Sequence, residues 1–259
     1  MNEVEIDPPR IRWIAFDAVD TLIRPNPSVA AIYHQIGARH GSRLALDEVR
    51  SRFRQAFAHT EAEGVLTCLC PETDQAGHTC EARERLRWRL IVESVLADVR
   101  SRETCFEELF VHFGQPSSWS CFADVEPALA ALSQAGYRLA VSSNFDARLN
   151  GVMDGLPDLS RIELRIISSL VRHRKPSPRF FESLLARAGC EPTEVLFIGD
   201  KADTDVAAAN AAGIPALRID RAATSGDNRV LRTLAEIADR LGKGAPSQFP
   251  GHQSANRNG

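Results

Sequence analysis

The sequence predicts an α/β protein in which helices cover both faces of a parallel sheet and an all-helical domain interrupts the sheet. The first observation is a series of short apolar runs that alternate with amphipathic segments, the pattern of a parallel sheet covered on both faces. The second is the stretch 24–120, which separates the first two runs and has helical patterns but no strong strand pattern. A crossover between parallel strands needs only about a dozen residues, so this stretch is long enough to be a domain of its own.

The apolar runs are the predicted strands of the sheet. They lie at 11–16, 137–144, 163–170, 193–200 and 214–220. The first, "IRWIAF", is bounded by a proline pair and by Asp17, as expected for a short buried strand, and the fifth follows Gly213.

Three segments between these runs have helix start and stop signals. The predicted core helices are 125–136, 178–189 and 202–213. The first ends in a glycine suited to a helix C-terminus, and the second begins with a proline and also ends in a glycine. The third is rich in alanine, which allows it to pack closely against a sheet.

The interrupting stretch contains helical patterns throughout. The predicted helices are 28–41, 47–64, 81–99 and 103–114. In the third, Ala82, Leu86 and Leu90 recur every four residues, as on the apolar face of a helix. We therefore divide the chain into a core (1–23 and 121–241), a helical domain (24–120) and a polar tail (242–259) that we expect to be disordered.

Composition narrows the class of protein. The chain has 259 residues, 44% apolar and 25% charged, which is typical of a globular protein. A net charge of −3 argues against nucleic acid as a partner. No apolar run approaches the length of a membrane span, and the N-terminus lacks an export segment. The six scattered cysteines suit a reduced, cytoplasmic protein. We find no sequence feature that fixes the oligomeric state.

The ends of the predicted strands carry the residues that suggest chemistry. These are Asp17, Asp20 and Thr21 after the first strand, Ser143 and Asn144 at the second, Lys175 after the third, and Asp200, Asp203 and Asp205 after the fourth. Ligands bind beyond the carboxyl ends of parallel strands, so these groups should converge there. Carboxylates from two strand ends suit Mg²⁺, while a hydroxyl and a lysine suit phosphoryl oxygens. A carboxylate can also attack phosphorus, so the pattern predicts a phosphoryl-transfer site.

Four motifs in order, "FDAVDTL", "SSNFD", "RKPSP" and "IGDKADTDVAAANAAG", resemble those of the haloacid dehalogenase-like (HAD) superfamily. The spacing around "SNFDARL" and the arginine-rich helical domain resemble the haloacid dehalogenase-like hydrolase domain-containing type three subgroup. The resemblance implies a three-layer Rossmann-like core with a helical cap between the first two motifs. It also implies a Mg²⁺-dependent hydrolase, namely a phosphatase that acts on a small phosphorylated metabolite.

The resemblance also implies a role for each matching residue. Asp17 would be the nucleophile and a Mg²⁺ ligand, and the main-chain carbonyl of Val19 would be a second ligand. Asp200 would bind Mg²⁺ directly, and Asp205 would act through water or by orienting Asp200. Phosphate-binding roles fall to Ser143, to the backbone N–H at Asn144 and to Lys175, with Thr21 as a further candidate. Ser143 and Lys175 would share the catalytic work with Asp17.

The chain departs from the family pattern at one position. Family phosphatases usually carry a second aspartate two residues after the nucleophile, as general acid and base, and here that position is Val19. Asp20 falls where the family often has glycine, so we expect its side chain to point away from the site. Loss of a general acid typically lowers the rate by about 10²–10⁴.

This departure leaves two functions open, a phosphatase and a catalytically weak or inactive binding or regulatory protein. A 2-haloacid dehalogenase is less favoured, because Asp200 and Asp205 would repel a substrate carboxylate. A phosphonatase needs a lysine in the helical domain, and 24–120 has none. A zinc site at Cys68, Cys70, His78 and Cys80 has an unusual spacing, so a loop is the favoured interpretation there.

Overall fold

A six-stranded parallel sheet forms the centre of the computed structural model, which describes residues 4–61, 77–224 and 227–242. The strands are β1 Trp13–Phe16, β2 Ile23–Pro25, β3 Trp119–Cys121, β4 Arg138–Ser143, β5 Leu164–Ile167, β6 Val195–Gly199, β7 Ala216–Ile219 and β8 Val230–Leu231. The sheet has the order β5-β4-β1-β6-β7-β8, and each neighbouring pair is parallel. The carboxyl ends of β1, β4 and β6 therefore lie side by side, where an open α/β sheet binds its ligand.

Each face of the sheet carries its own hydrophobic core. Side chains alternate along a strand, so Trp13 and Ala15 pack on one face while Ile14 and Phe16 pack on the other. All four side chains of β1 are buried. Burial on both faces explains why the predicted strands are continuous apolar runs, and the α/β class predicted from them is confirmed.

Helices cover both faces of this sheet and fill the stretch between β2 and β3. In the described part of the chain they are α1 Val29–Arg39, α2 Leu46–Glu61, α3 Glu81–Val95, α4 Arg102–His112, α5 Val125–Gln134, α6 Arg148–Asp154, α7 Ser168–Val171, α8 Pro178–Ala188, α9 Ala208–Ala211 and α10 Glu236–Leu241. The helix predicted at 202–213 begins as a π-helix, Ala202–Ala207, before α9. Here the carbonyl of Lys201 accepts from the N–H groups of both Asp205 and Val206, which widens the first turn.

Helices α1 to α4, which we call the helical insert, pack around a third hydrophobic cluster that includes Tyr33, Val95 and Phe106. The chain leaves and re-enters the core through β2 and β3, which pair in an antiparallel ribbon. The ribbon lies near both predicted ends of the helical domain, 24 and 120. The domain boundaries themselves stay a prediction. Neither strand of the ribbon was expected, because each has only three residues.

Some expectations fall outside the described residues. They are the disordered tail, apart from Gly242, and the positions of Cys68 and Cys70 in the zinc hypothesis. His78 is described, and it forms a β-bridge with His173. Within the described ranges, no helix combines the length and apolar character needed to cross a membrane.

Candidate active site

Asp17 follows β1 at the centre of the sheet edge. Its backbone N–H donates to the carbonyl of Ile198 at 2.8 Å, which continues the pairing with β6 and fixes the carboxylate at the strand end. The residue is only 8% exposed. A buried carboxylate at this position requires compensating charge nearby.

Lys175 supplies that charge. Its Nζ lies 2.7 Å from Oδ1 of Asp17 and 2.5 Å from Oδ1 of Asp205, and all three residues are buried. Two buried acids thus share one cation. Each hydrogen bond is charge-assisted and fixes the lysine between the ends of β1 and β6.

Asn144 holds the backbone of Lys175 from both sides. The Oδ1 of Asn144 accepts from the N–H of Lys175 at 2.8 Å, and its Nδ2 donates to the carbonyl of Lys175 at 2.9 Å. The amide therefore ties the end of β4 to the loop that carries the lysine. The sequence suggested only a phosphate contact at this position, and the side-chain role was missed.

Asp205 is held by backbone as well as by Lys175. Its Oδ2 accepts from the N–H of Lys201 at 3.0 Å. A Cβ on Gly199 would lie 2.5 Å from the Cβ of Asp205, so only glycine at the end of β6 permits this approach. Gly199 is thus a residue that the site needs, and the glycine of "IGD" was its signal in the sequence.

Asp200 completes an acidic group. One oxygen each of Asp17, Asp200 and Asp205 lies within 4.8 Å of the others, and among the described residues this is the group that fits a metal ion. Carboxylate oxygens are the ligands that Mg²⁺ prefers. Both oxygens of Asp205 accept hydrogen bonds, whereas Asp17 bonds to Lys175 through Oδ1 and Asp200 pairs with Lys201 through Oδ2. Asp17 and Asp200 are therefore the better direct ligands.

The charges in this group do not balance. The pKa of Asp17 is raised to about 7, chiefly by burial and also by the Asp205 and Asp200 carboxylates, although Lys175 opposes the shift. Burial also raises the pKa of Asp200, although the ammonium of Lys201, 2.7 Å away and 60% exposed, opposes the shift. A further cation would relieve both effects, so the residues present fit a divalent metal ion.

The other predicted residues divide between the site and the core. Ser143, the last residue of β4, is buried and lines the cavity beside Asp17. Thr21 is fully buried, and its side chain does not belong to that lining. Its carbonyl accepts from Arg221 at 2.9 Å, so the structure does not bring Thr21 together with the phosphoryl-binding candidates.

The position of Asp20 relative to the site differs from the expected one. We expected its side chain to point away from the site, but both Val19 and Asp20 line the cavity. The reason is a tight turn after Asp17, in which the N–H of Asp20 donates to the carbonyl of Ile23 at 2.7 Å. Asp20 has a left-handed backbone with φ of 65°, which explains why glycine suits this position. Its carboxyl is exposed, at the rim of the site.

These residues form the floor of a cavity of about 490 Å³ between the core and the helical insert. That volume is within the range of small-molecule sites. The insert reaches the site directly, because Gly77 accepts from the N–H of Arg174, the residue before Lys175, at 2.8 Å. A polar floor with a buried cation and an acidic group suits the chemistry of an anion bound with a metal.

Comparison with known proteins identifies the class of protein that this fold and site define. Residues 11–213 match the model of the haloacid dehalogenase-like hydrolase family. The chain belongs to that family, and the resemblance in the motifs is confirmed. It is a hydrolase with phosphatases among its relatives.

Particular relatives cover most of the chain. Haloacid dehalogenase-like hydrolase domain-containing protein 3 of Danio rerio is 26% identical over 82% of this chain and 86% of its own length. Phosphoserine phosphatase of Thermus thermophilus is 28% identical over 82% of this chain and 89% of its own. The crystal structure of a defluorinating L-2-haloacid dehalogenase superposes with a TM-score of 0.70 at 18% identity, covering 92% of this chain and 99% of that one. The last likeness concerns the fold alone.

Proposed function

We propose that this hydrolase is a Mg²⁺-dependent phosphatase that acts on a small phosphorylated molecule through an aspartyl-phosphate at Asp17. The observation that carries the proposal is the position of Lys175, whose Nζ bonds to both Asp17 and Asp205 beside Asp200. This arrangement supplies a nucleophile, a cation for the phosphoryl charge and a metal-binding group at one sheet edge. The phosphatase relative supports the same reaction class.

In the proposed reaction a carboxylate oxygen of Asp17 attacks phosphorus, and the bond from phosphorus to the ester oxygen breaks. The alcohol leaves with the bonding electron pair and takes a proton from solvent. Water then cleaves the aspartyl-phosphate and releases inorganic phosphate. Ser143 and the backbone at Asn144 hold the phosphoryl oxygens, and Lys175 balances their charge. Mg²⁺, held by Asp17, the Val19 carbonyl and Asp200, would supply further positive charge at the phosphoryl group.

We also propose that residues 24–120 are a cap over the site. The contacts that support this are made just before Lys175: the N–H of Thr79 donates to the carbonyl of Arg172 at 3.0 Å, and Arg174 pairs with Glu61. Closure of such a cap would exclude water from the phosphoryl group. Hydrogen exchange with and without beryllofluoride and Mg²⁺ tests this, and unchanged protection at both ends of the insert would contradict it.

The second candidate is a catalytically weak binding or regulatory protein. The observation in its favour is Val19, an aliphatic side chain that lines the cavity where family phosphatases have an acid. A dehalogenase is less well supported, because its substrate carboxylate would meet the Asp17, Asp200 and Asp205 group.

A panel of phosphate esters, assayed with Mg²⁺ and with EDTA, separates these functions. The phosphatase should release phosphate only with Mg²⁺, and Asp17→Asn should reduce the rate to background. The binding protein should bind phosphate analogues without turnover. Release of halide from a 2-haloacid without metal would instead support the dehalogenase.

A further inference from the structure

The cavity has a continuous aromatic wall. The rings that form it contact their neighbours with centroids 5.2 to 6.2 Å apart. In order of contact they are Phe57, Phe53, Tyr33, Phe113, Trp119 and Phe145, and all of them belong to the cavity lining. We call this set the aromatic wall. Tyr33, Trp119 and Phe145 are buried, so the half-buried rings of Phe53, Phe57 and Phe113 present most of the accessible ring surface.

The aromatic wall begins beside the proposed phosphoryl site and extends into the insert. Phe145 is two residues after Ser143, and its N–H donates to the carbonyl of Ser143 at 3.0 Å. At the other end, Phe53 and Phe57 belong to α2. A phosphate ester bound at Asp17 would therefore extend its alcohol portion along these rings.

Three of the four arginines of the cavity lining are already paired. Arg87 is buried and pairs with Glu61 and Glu84, and its guanidinium lies 4.9 Å from the centre of the Phe57 ring. Arg174 also pairs with Glu61. Arg148 bonds to Asp146 and to a backbone carbonyl of α4. These three cations do not provide free charge for a second anionic group on the substrate. The fourth, Arg24, is exposed, and its guanidinium lies 5.1 Å from the centre of the Phe122 ring.

We propose that the substrate is a phosphate monoester with an apolar, aromatic body, rather than a sugar phosphate or a phosphorylated amino acid. The inference rests on the proposed phosphatase function and deepens it. An aromatic body would bury its surface against the rings and stack with them. A polyol would lose hydrogen bonds to water that these rings cannot replace.

Binding of inert phosphonates to the full chain with Mg²⁺ tests this, measured by calorimetry. The probes are methylphosphonate, 5-hydroxypentylphosphonate and 4-phenylbutylphosphonate, which share the charged group and differ in the body. We expect the phenyl probe to bind about 10- to 100-fold more tightly than the hydroxypentyl probe, the effect of burying one ring. Equal binding of the phenyl and hydroxypentyl probes would overturn the proposed substrate class without contradicting the phosphatase function. If none of the three binds and acetyl phosphate is not hydrolysed, the phosphatase proposal fails with it.

Variants of the wall separate recognition from folding. Phe57→Ser should lower the binding ratio of the phenyl probe to the hydroxypentyl probe, and Phe57→Leu should preserve most of that ratio. Phe122 is a matched control, since it is also half-buried but lies outside the cavity lining. Phe122→Ser should leave the ratio unchanged. An equal loss of selectivity in both serine variants would overturn the proposal.

Discussion

The ammonium of Lys175 lies 2.7 Å from a carboxylate oxygen of Asp17, although 158 positions separate the two residues in the chain. Asp205 approaches the same ammonium at 2.5 Å. The three side chains are buried, so the stability of the core and the charge of the proposed phosphoryl site depend on one cation. Removal of that cation should therefore lower the stability of the fold and increase the stability gained from Mg²⁺.

Lys175→Met should lower the free energy of unfolding by about 3–5 kcal/mol without metal, because it leaves buried carboxylates unpaired. The same variant should gain more stability from Mg²⁺ than the wild type does, because the metal replaces the missing charge. Denaturant unfolding in EDTA and in Mg²⁺ measures both effects. Activity should be lost in either case.

Lys201→Met is the matched control for that experiment. Lys201 also pairs with an acid of the group, Asp200, but it is 60% exposed, so its loss should change the free energy of unfolding by less than about 1 kcal/mol. Equal destabilisation by both substitutions would contradict the role we assign to Lys175.

Metal binding should depend on Asp200 and not on its neighbour Asp203. Mg²⁺ with beryllofluoride should raise the melting temperature of the wild type, because a ligand that binds only the folded state stabilises it. Asp200→Asn should lose most of that increase. Asp203 is exposed and outside the cavity lining, so Asp203→Asn should respond like the wild type. A full response from Asp200→Asn would show that the metal assignment is wrong.

Glu61 should stabilise the contact between the insert and the core. It pairs with the buried Arg87 of α3 and with Arg174 beside Lys175. Glu61→Gln should lower the free energy of unfolding by about 1–3 kcal/mol, because it removes a charged partner of a buried guanidinium. The loss is limited because a third of the Glu61 side chain is exposed to solvent. Glu103→Gln, which affects an exposed pair with Arg89, should lower the stability much less than Glu61→Gln does, because solvent screens an exposed pair.

The contribution of Glu61 to the free energy of unfolding should also depend on pH. Burial raises the pKa of Glu61, but Arg87 and Arg174 lower it by more, so the pKa in the folded protein is below the usual value. The stabilisation should therefore be complete above the pKa of an unfolded glutamate, about 4.3, and be lost as pH falls through the folded pKa. Unfolding of the wild type and Glu61→Gln from pH 7 to pH 3 measures this. A difference that grows in acid would contradict it.

The strands, and the convergence of acidic residues at one edge of the sheet, could be predicted from the sequence. Strands buried on both faces leave continuous apolar runs, and parallel strands bring their carboxyl ends to one edge. Asp17 and Asp200 follow such runs directly, and Lys175 lies in the loop after the third run. Their approximate positions therefore follow from the pattern of the chain.

The remaining features depend on contacts that no local pattern records. The amide of Asn144 bonds to the backbone of Lys175, 31 positions away. The aromatic wall combines rings from several elements, none of which is unusual alone. Asp20 was misjudged because the turn that returns it to the cavity depends on a backbone bond to Ile23.

The position of Val19 sets the chemical limits of the proposed phosphatase. Its aliphatic side chain lines the cavity two residues after the nucleophile, so it cannot protonate a departing oxygen. Asp20 is the nearest acid in the chain, but it is exposed at the rim. The rate should therefore depend strongly on how stable the leaving anion is.

p-Nitrophenyl phosphate should be cleaved far faster than 4-nitrobenzyl phosphate, because both bodies are aromatic but only the first leaves as a stable anion. Val19→Asp should raise the rate for the benzyl ester by up to about 10², since a general acid is typically worth about 10²–10⁴. The same substitution should change the nitrophenyl rate much less. Steady-state kinetics with Mg²⁺ measure these rates, and burst experiments should find accumulated phosphoenzyme, because no base activates the water.

Val19→Asn is the matched control and should not raise the rate for the benzyl ester. Equal wild-type rates for both esters, with chemistry rate-limiting, would refute this account. A large loss in Asp20→Asn alone would assign the acid's role to Asp20.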